Sequence, residues 1–341
     1  MGKNIFSKEA VLILAACFCF MSCHTMIIPI LAGFTGSLGG SGLLMGTVVG
    51  ITNLVSIGFR IVSGPMVDRV TKRQLSQWGA ALMLAGCLGC ALTVDTWLLL
   101  AVAPSLGINL ERAMGFRPVF CGAVISAALI IVLTMGVGHK GERTDAARTA
   151  GQRGRFRLLE TSVIPIALIV TLFTIPYTAT QSFLVQIVRL TGAAMHPELF
   201  FAAYAIALVC MRVGFRNYFD RVPYRRFLTL CTISATVSML LLGTGGNNLS
   251  LIAAAVCMAG GFGIMCSESQ ATAMTMVDNS KRGLANNTYL IGLDCGMALG
   301  PMTGGLLYSH AQVQYFYPWL MITAVLGIAV YLIGRKRLSR L

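Results

Sequence analysis

Residues 60–75 read RIVSGPMVDRVTKRQL, a tight charged connection between two long apolar runs. The arrangement recurs at 212–227 as RVGFRNYFDRVPYRRF, and the copies align without a gap: Arg60 on Arg212, Asp68 on Asp220, Arg69 on Arg221, Val70 on Val222 and Arg73 on Arg225. Each copy follows one apolar run and precedes another. A charged turn repeated at an interval of about 150 residues marks two copies of one helical unit.

The surrounding composition says where those units reside. Of 341 residues, 56% are hydrophobic and only 11% charged, and the mean hydropathy is +0.77. A soluble domain carries about 25% charged residues, so this chain belongs in a lipid bilayer. The net charge of +14 could suit nucleic acid, but the basic residues sit in short clusters between apolar runs. That pattern excludes a nucleic-acid partner. Most of the eleven cysteines lie inside apolar runs. Cys87 and Cys90 form a lone C-x-x-C with no second pair at metal spacing, so neither a metal nor a cofactor is expected.

Runs of roughly 20 apolar residues cross a hydrocarbon core of about 30 Å. Ten can be placed, at 10–33, 42–66, 75–94, 118–137, 162–187, 199–218, 227–243, 249–276, 284–308 and 316–333. The first is too long for a cleaved leader and other spans follow it. With the N-terminus inside, 21 of the 26 Lys and Arg residues fall on inner segments, and only Arg112, Arg117 and Arg189 on outer ones. This bias puts both termini and the polar linker at 138–158 in the cytoplasm. The expected organisation is an N-terminal bundle at 1–137, the linker at 138–158 and a C-terminal bundle at 159–341.

The two halves differ in one place. Pro301, in ALGPMTGG, follows Asp220 by 81 residues, whereas the equivalent Pro104, in VAPSLGI, follows Asp68 by 36. About 45 residues are therefore missing from the first half, corresponding to most of the fourth span and the start of the fifth. The remnant at 96–110 is shorter than a span. If it crossed the bilayer, the basic linker would face outside, so it is expected to be re-entrant or to lie at the surface, with an eleventh span and inverted second half as the alternative.

The pattern Gly64-x-x-x-Asp68-Arg69-x-x-Lys72-Arg73 resembles the loop between the second and third spans of the major facilitator superfamily, with Thr71 where that pattern has its second glycine. Residues 282–308, RGLANNTYLIGLDCGMALGPMTGGLLY, are similar to the eleventh span of that superfamily's bacterial drug and metallophore exporters. The resemblance implies an all-α polytopic membrane protein of two pseudo-repeated helical bundles. It implies a proton-coupled exporter of small amphipathic compounds in a bacterial cytoplasmic membrane, working by alternating access. It also implies a gating charge network of Asp68, Arg69, Arg73 and Arg60, repeated as Asp220, Arg221, Arg225 and Arg212.

Gly296, Gly300, Pro301, Gly304 and Gly305 form a G-x-x-x-G-P-x-x-G-G run. Glycines four apart admit a neighbouring backbone and the proline kinks the helix, so the run suits gating as well as plain packing. Asp294 lies about 15 Å along its helix, near the bilayer midplane, where an ionisable group is costly and usually faces a cavity. It is the candidate proton or substrate site, against the plainer reading of a structural hydrogen bond. Glu268 and His24 read as structural. No H-E-x-x-H, G-x-S-x-G or phosphate-binding loop occurs, so an enzyme is not expected. The fourth-span arginine motif that this superfamily links to proton coupling falls in the gap. A non-transporting deletion product, or a membrane scaffold or sensor, therefore stands as the second reading.

Overall fold

The computed structural model describes residues 31–67, 159–192, 195–214, 222–278, 281–310 and 312–338, with isolated positions 77, 81 and 128. Every regular element among the described residues is helical. In chain order these are α1 (Gly42–Val67), α2 (Ile164–Thr191), α3 (Glu198–Gly214), α4 (Tyr224–Thr244), α5 (Asn248–Met258), a π-helical turn (Ala259–Gly263), α6 (Ile264–Thr275), α7 (Arg282–His310), a short 3-10 turn (Val313–Tyr315) and α8 (Phe316–Leu338). Residues 31–37 are also helical.

The helix ends have local causes. Pro165 occupies the first turn of α2, where the missing N–H would lack a helical partner anyway. Gly192 closes α2 with φ of +61°, a left-handed conformation that glycine adopts without a Cβ penalty. Asn247 caps α5 by accepting the Ser250 N–H at 2.8 Å, satisfying a donor that the first helical turn leaves open. Among the described residues, five helices, counting α5 to α6 as one, are long and apolar enough to cross a membrane.

The chain divides into two units, Met1–Ser41 with Val55–Phe156, and Gly42–Leu54 with Arg157–Leu341. In the first, Thr35 donates to the Leu31 carbonyl at 2.7 Å and Gly39 takes φ of +83° in the turn before α1. The second holds the first part of α1 together with α2 to α8. One apolar cluster joins Ile169 and Phe173 of α2 to Phe227, Leu228 and Cys231 of α4, Met265 of α6 and Ala324 of α8. A second joins Val163, Ile166 and Val170 to Ala273, Ala285 and Tyr289.

The outer faces of these helices are apolar too. Leu230, Ile233, Val237 and Leu240 run along α4 at helical spacing and are exposed, as are Ile206, Val209 and Val213 on α3 and Trp319, Ile322 and Leu326 on α8. Exposed apolar stripes of this kind on several helices suit contact with lipid better than with water.

Candidate functional site

Among the described residues, helix α7 carries most of the candidates, and two of its faces lie against backbone. The first face is the row Gly292, Gly296, Gly300 and Gly304. A Cβ at Gly292 would meet the Ala167 carbonyl oxygen at 2.5 Å, and one at Gly296 the Thr174 Cβ at 2.5 Å. At Gly300 it would strike Thr178 Oγ1, and at Gly304 the Phe183 ring at 2.9 Å. All of those neighbours belong to α2. The contact is also hydrogen-bonded: Thr171 Oγ1 donates to the Gly292 carbonyl at 2.7 Å and Thr178 Oγ1 to the Gly296 carbonyl at 3.3 Å. Small residues that let backbones touch, with threonine hydroxyls bridging them, are the means by which helices associate where water supplies no driving force.

The second face is the row Ala298, Pro301 and Gly305, and it meets α1 running antiparallel. A Cβ at Gly50 would lie 2.6 Å from the Ala298 carbonyl oxygen, and one at Gly46 would collide with that of Pro301. At Gly42 it would lie 2.6 Å from Ser309 Oγ. Gly42, Gly46 and Gly50 thus form a stripe four residues apart along α1, seated on α7.

One turn further along α1, Asn53 is 3% exposed and its Nδ2 donates to the Met297 carbonyl at 3.2 Å. The choice of acceptor has a chemical reason. In an α-helix the carbonyl of residue i receives the N–H of residue i+4, and Met297 would receive it from position 301. Pro301 has no N–H, so the Met297 oxygen is left open and Asn53 supplies the missing donor. The missing N–H of Pro301 thus accounts for the interhelical hydrogen bond.

Asp294 sits one turn before Ala298 on the α1-facing row and is 5% exposed. From Arg282 it lies about 18 Å along the helix, close to mid-length. Gly296, Gly300 and Gly304 of the glycine-proline run face α2, while Pro301 and Gly305 face α1, so the structure separates the run into two contacts. Arg212, in the last turn of α3, is exposed and donates to Ser267 Oγ at 2.7 Å. Arg225 is exposed in the first turn of α4. Arg60 lies within α1, its side chain outside the described residues. Asp68, Arg69, Arg73, Asp220, Arg221, His24, Cys87, Cys90, the 96–110 segment and the linker at 138–158 also fall outside them. Glu268 is half-buried on α6.

Three features are additional to the sequence reading. The stripe Gly42, Gly46, Gly50 carries the same four-residue signal as α7 and could have been found by it. Thr171, Thr174 and Thr178 repeat at helical spacing along α2. The π-helical turn has no such signal: AGGFG reads as packing residues, yet Phe262 within it stacks on Tyr177 at 4.0 Å and 13°, and Tyr177 lies 5.2 Å from Tyr204.

Residues 166–340 match the family model described as Major Facilitator Superfamily, just over half of the chain. The chain belongs to the Major Facilitator Superfamily. It is an all-α, multi-pass membrane protein with that superfamily's fold. A mutant of the nucleoside transporter NupG superposes with a TM-score of 0.72 at 11% identity, covering 96% of this chain and 99% of that one. A mutant of the peptide transporter POT gives 0.72 at 13% identity, covering 98% and 96%. A bacterial homolog of the human lysosomal transporter Spinster, inward-facing and unoccupied, gives 0.69 at 11% identity, covering 98% of each. An uncharacterized protein of Mycobacterium tuberculosis, Rv2265, is 39% identical over 80 residues, 24% of this chain. The chain spans 16% of that relative's length.

Proposed function

We propose that this protein is a secondary active transporter that exports small amphipathic compounds by alternating access, coupled to proton antiport. The observation that carries the reading is Asp294, buried at mid-length of α7 on the row that also bears Pro301 and the α1 contact. A carboxyl group at that depth is costly to keep in lipid and is retained where it binds a cation or exchanges a proton. Its row continues into Ala298, Pro301 and Gly305, so a movement of α1 along that row changes the surroundings of the carboxyl group. Alternating exposure of a central site by rocking of helical units is the general means of secondary transport.

In this reading Asp68, Arg69, Arg73 and Arg60, with Asp220, Arg221, Arg225 and Arg212, form paired gating networks at the cytoplasmic surface. The bundles are 1–137 and 159–341, joined by the linker at 138–158. The membrane is a bacterial cytoplasmic membrane with both termini inside. The partners are the bilayer, a small-molecule substrate and a proton, and no step needs a metal or nucleotide. A second reading, a non-transporting deletion product or a membrane scaffold or sensor, is favoured by one observation: the first half lacks about 45 residues relative to the second.

The test is efflux of ethidium, an amphipathic cationic dye, from proteoliposomes of the full chain under an imposed pH gradient. The expected result is gradient-driven efflux that collapses to the lipid-only rate in Asp294→Asn. Efflux at the lipid-only rate from the unmodified chain, under either direction of gradient, would favour the second reading.

A further inference from the structure

Three half-buried aromatic rings meet where the π-helical turn packs on α2. Tyr177 lies midway along α2 and Phe262 midway along the membrane-crossing helix Asn248–Thr275, which puts both near the bilayer midplane. The two rings stack, with centroids 4.0 Å apart and planes 13° from parallel. Tyr204 of α3 leans on Tyr177 at 5.2 Å and 31°, and the two phenol hydroxyls are hydrogen-bonded to each other. The turn is what aims Phe262. Its inserted residue changes the register between α5 and α6, and one residue of register rotates a side chain by about 100°. Glycines let the neighbours close on it: a Cβ at Gly261 would stand 2.8 Å from the Ala235 backbone nitrogen of α4, and one at Gly263 would meet Leu208 and, at 3.3 Å, Tyr204 Oη. Ser267 Oγ donates to the Gly263 carbonyl at 3.2 Å and accepts from Arg212 at 2.7 Å, which holds the turn from the α6 side.

A polar group beside this stack is open. Gln181 follows Tyr177 by four residues on the same face of α2, and a long helical side chain lies over the turn N-terminal to its own Cα, here the turn that bears Tyr177. The residue is 6% exposed, yet its amide pairs with no protein group. Among the described residues, the one unpaired side-chain nitrogen or oxygen sealed from a water-sized molecule is Tyr317 Oη, so the Gln181 amide stays within reach of a small molecule. An amide at this depth is costly unless something pairs with it. An aromatic stack next to an available amide suits a flat ring that carries a polar substituent.

We propose that Tyr177, Phe262 and Gln181 form a recognition site for planar aromatic compounds bearing an amine or hydroxyl, the ring extending the aromatic cluster and the donor pairing with Gln181 Oε1. The site names the class of amphipathic compound carried, and for that it rests on the transport reading above. Stacked rings gain more than their buried area alone provides, so the site selects flat aromatic bodies over aliphatic ones of similar charge.

The test is equilibrium dialysis of ethidium, whose flat ring system bears amines, against the full chain in lipid nanodiscs, with empty nanodiscs as the blank and no gradient. Saturable binding is expected. Phe262→Leu should weaken ethidium about five-fold, and Phe262→Tyr should keep the parental affinity. Gln181→Leu should weaken ethidium about five-fold, the effect of one hydrogen bond, and leave N-methylphenanthridinium, which has the ring but no amines, unchanged. Tetrabutylammonium, a cation without a ring, should bind more weakly and equally to parent and variants. Because dialysis needs no gradient, the site and the transport reading fail separately: saturable binding that depends on Phe262 and Gln181, in a chain that moves no ethidium, would defeat transport and keep the site. Absence of saturable binding, or losses in the variants that are equal for all three probes, would overturn the site whatever transport is seen. Undiminished ethidium binding by Phe262→Leu and Gln181→Leu would also overturn it, by showing that the rings serve only to pack the helices and that the amide is merely hydrated.

Discussion

Asn53 and Pro301 make one interaction from two sequence-distant residues, and their coupling can be measured. Asn53→Leu removes the donor and leaves the Met297 oxygen unpaired in a dry helix contact, costing about 1 kcal/mol. Adding Pro301→Ala restores an N–H at position 301, so the oxygen regains a helical partner. The double variant should therefore lose less stability than Asn53→Leu alone, read by thermal unfolding in detergent and analysed as a double-mutant cycle. Strict additivity of the two effects would show that Asn53 is not compensating for the proline. Two glycines of α7 offer a contrast of sign. Gly283 has open space around it, and Gly283→Ala should stabilise the helix by up to about 1 kcal/mol. Gly300→Ala places a methyl against Thr178 Oγ1 and the Ile175 carbonyl and should destabilise by about 1–3 kcal/mol, as overpacking does. Equal effects at the two positions would mean that the α2 face of α7 is not close-packed.

Helices were legible to different degrees. Spans expected at 42–66, 162–187, 227–243, 249–276, 284–308 and 316–333 correspond to helices whose ends differ by a few residues, because Pro165, Gly192 and Pro223 punctuate the chain where apolar runs stop. The glycines of α7 were legible as a spacing but not as two faces. Rows three and four residues apart diverge around a helix by only about 100° per step, and sequence does not say which neighbour each row meets. Asn53 was illegible for a related reason: a polar residue in an apolar helix declares a need for a partner, and its partner lies 244 residues away. The π-helical turn was hidden because its extra residue leaves the apolar pattern of α5 and α6 intact. Gly261 allows the Ala235 backbone nitrogen within 2.8 Å of where a Cβ would stand, and backbone cannot yield as a side chain can. Gly261→Val should accordingly destabilise by about 1–3 kcal/mol, measured by unfolding, whereas a tolerated valine would show that α4 and the π turn are loosely packed.

For the molecule as a whole, the distribution of Lys and Arg predicts a cytoplasmic linker. A reporter fused near Gly141 whose signal differs between the two sides should report the inside, and an outside signal would require the second half to be inverted. The family was legible from two short motifs because charged turns recur at a bilayer surface for physical reasons, and the repeat at 212–227 removed the coincidence. The contact of α1 with α7 was not legible, since it joins glycines from opposite halves of the chain. The proposed transport cycle turns on that contact, since it requires the row of Gly42, Gly46 and Gly50 to move against α7. A Cβ at position 42 stands 2.6 Å from the γ atom at 309, close to the reach of a disulfide, so Gly42→Cys with Ser309→Cys can lock the row shut. The most direct measurement is gradient-driven ethidium efflux by that double variant before and after oxidation, with each single variant as control. The account predicts transport in the reduced state, arrest on oxidation and recovery with reductant; unchanged efflux through the oxidised, cross-linked chain would contradict it.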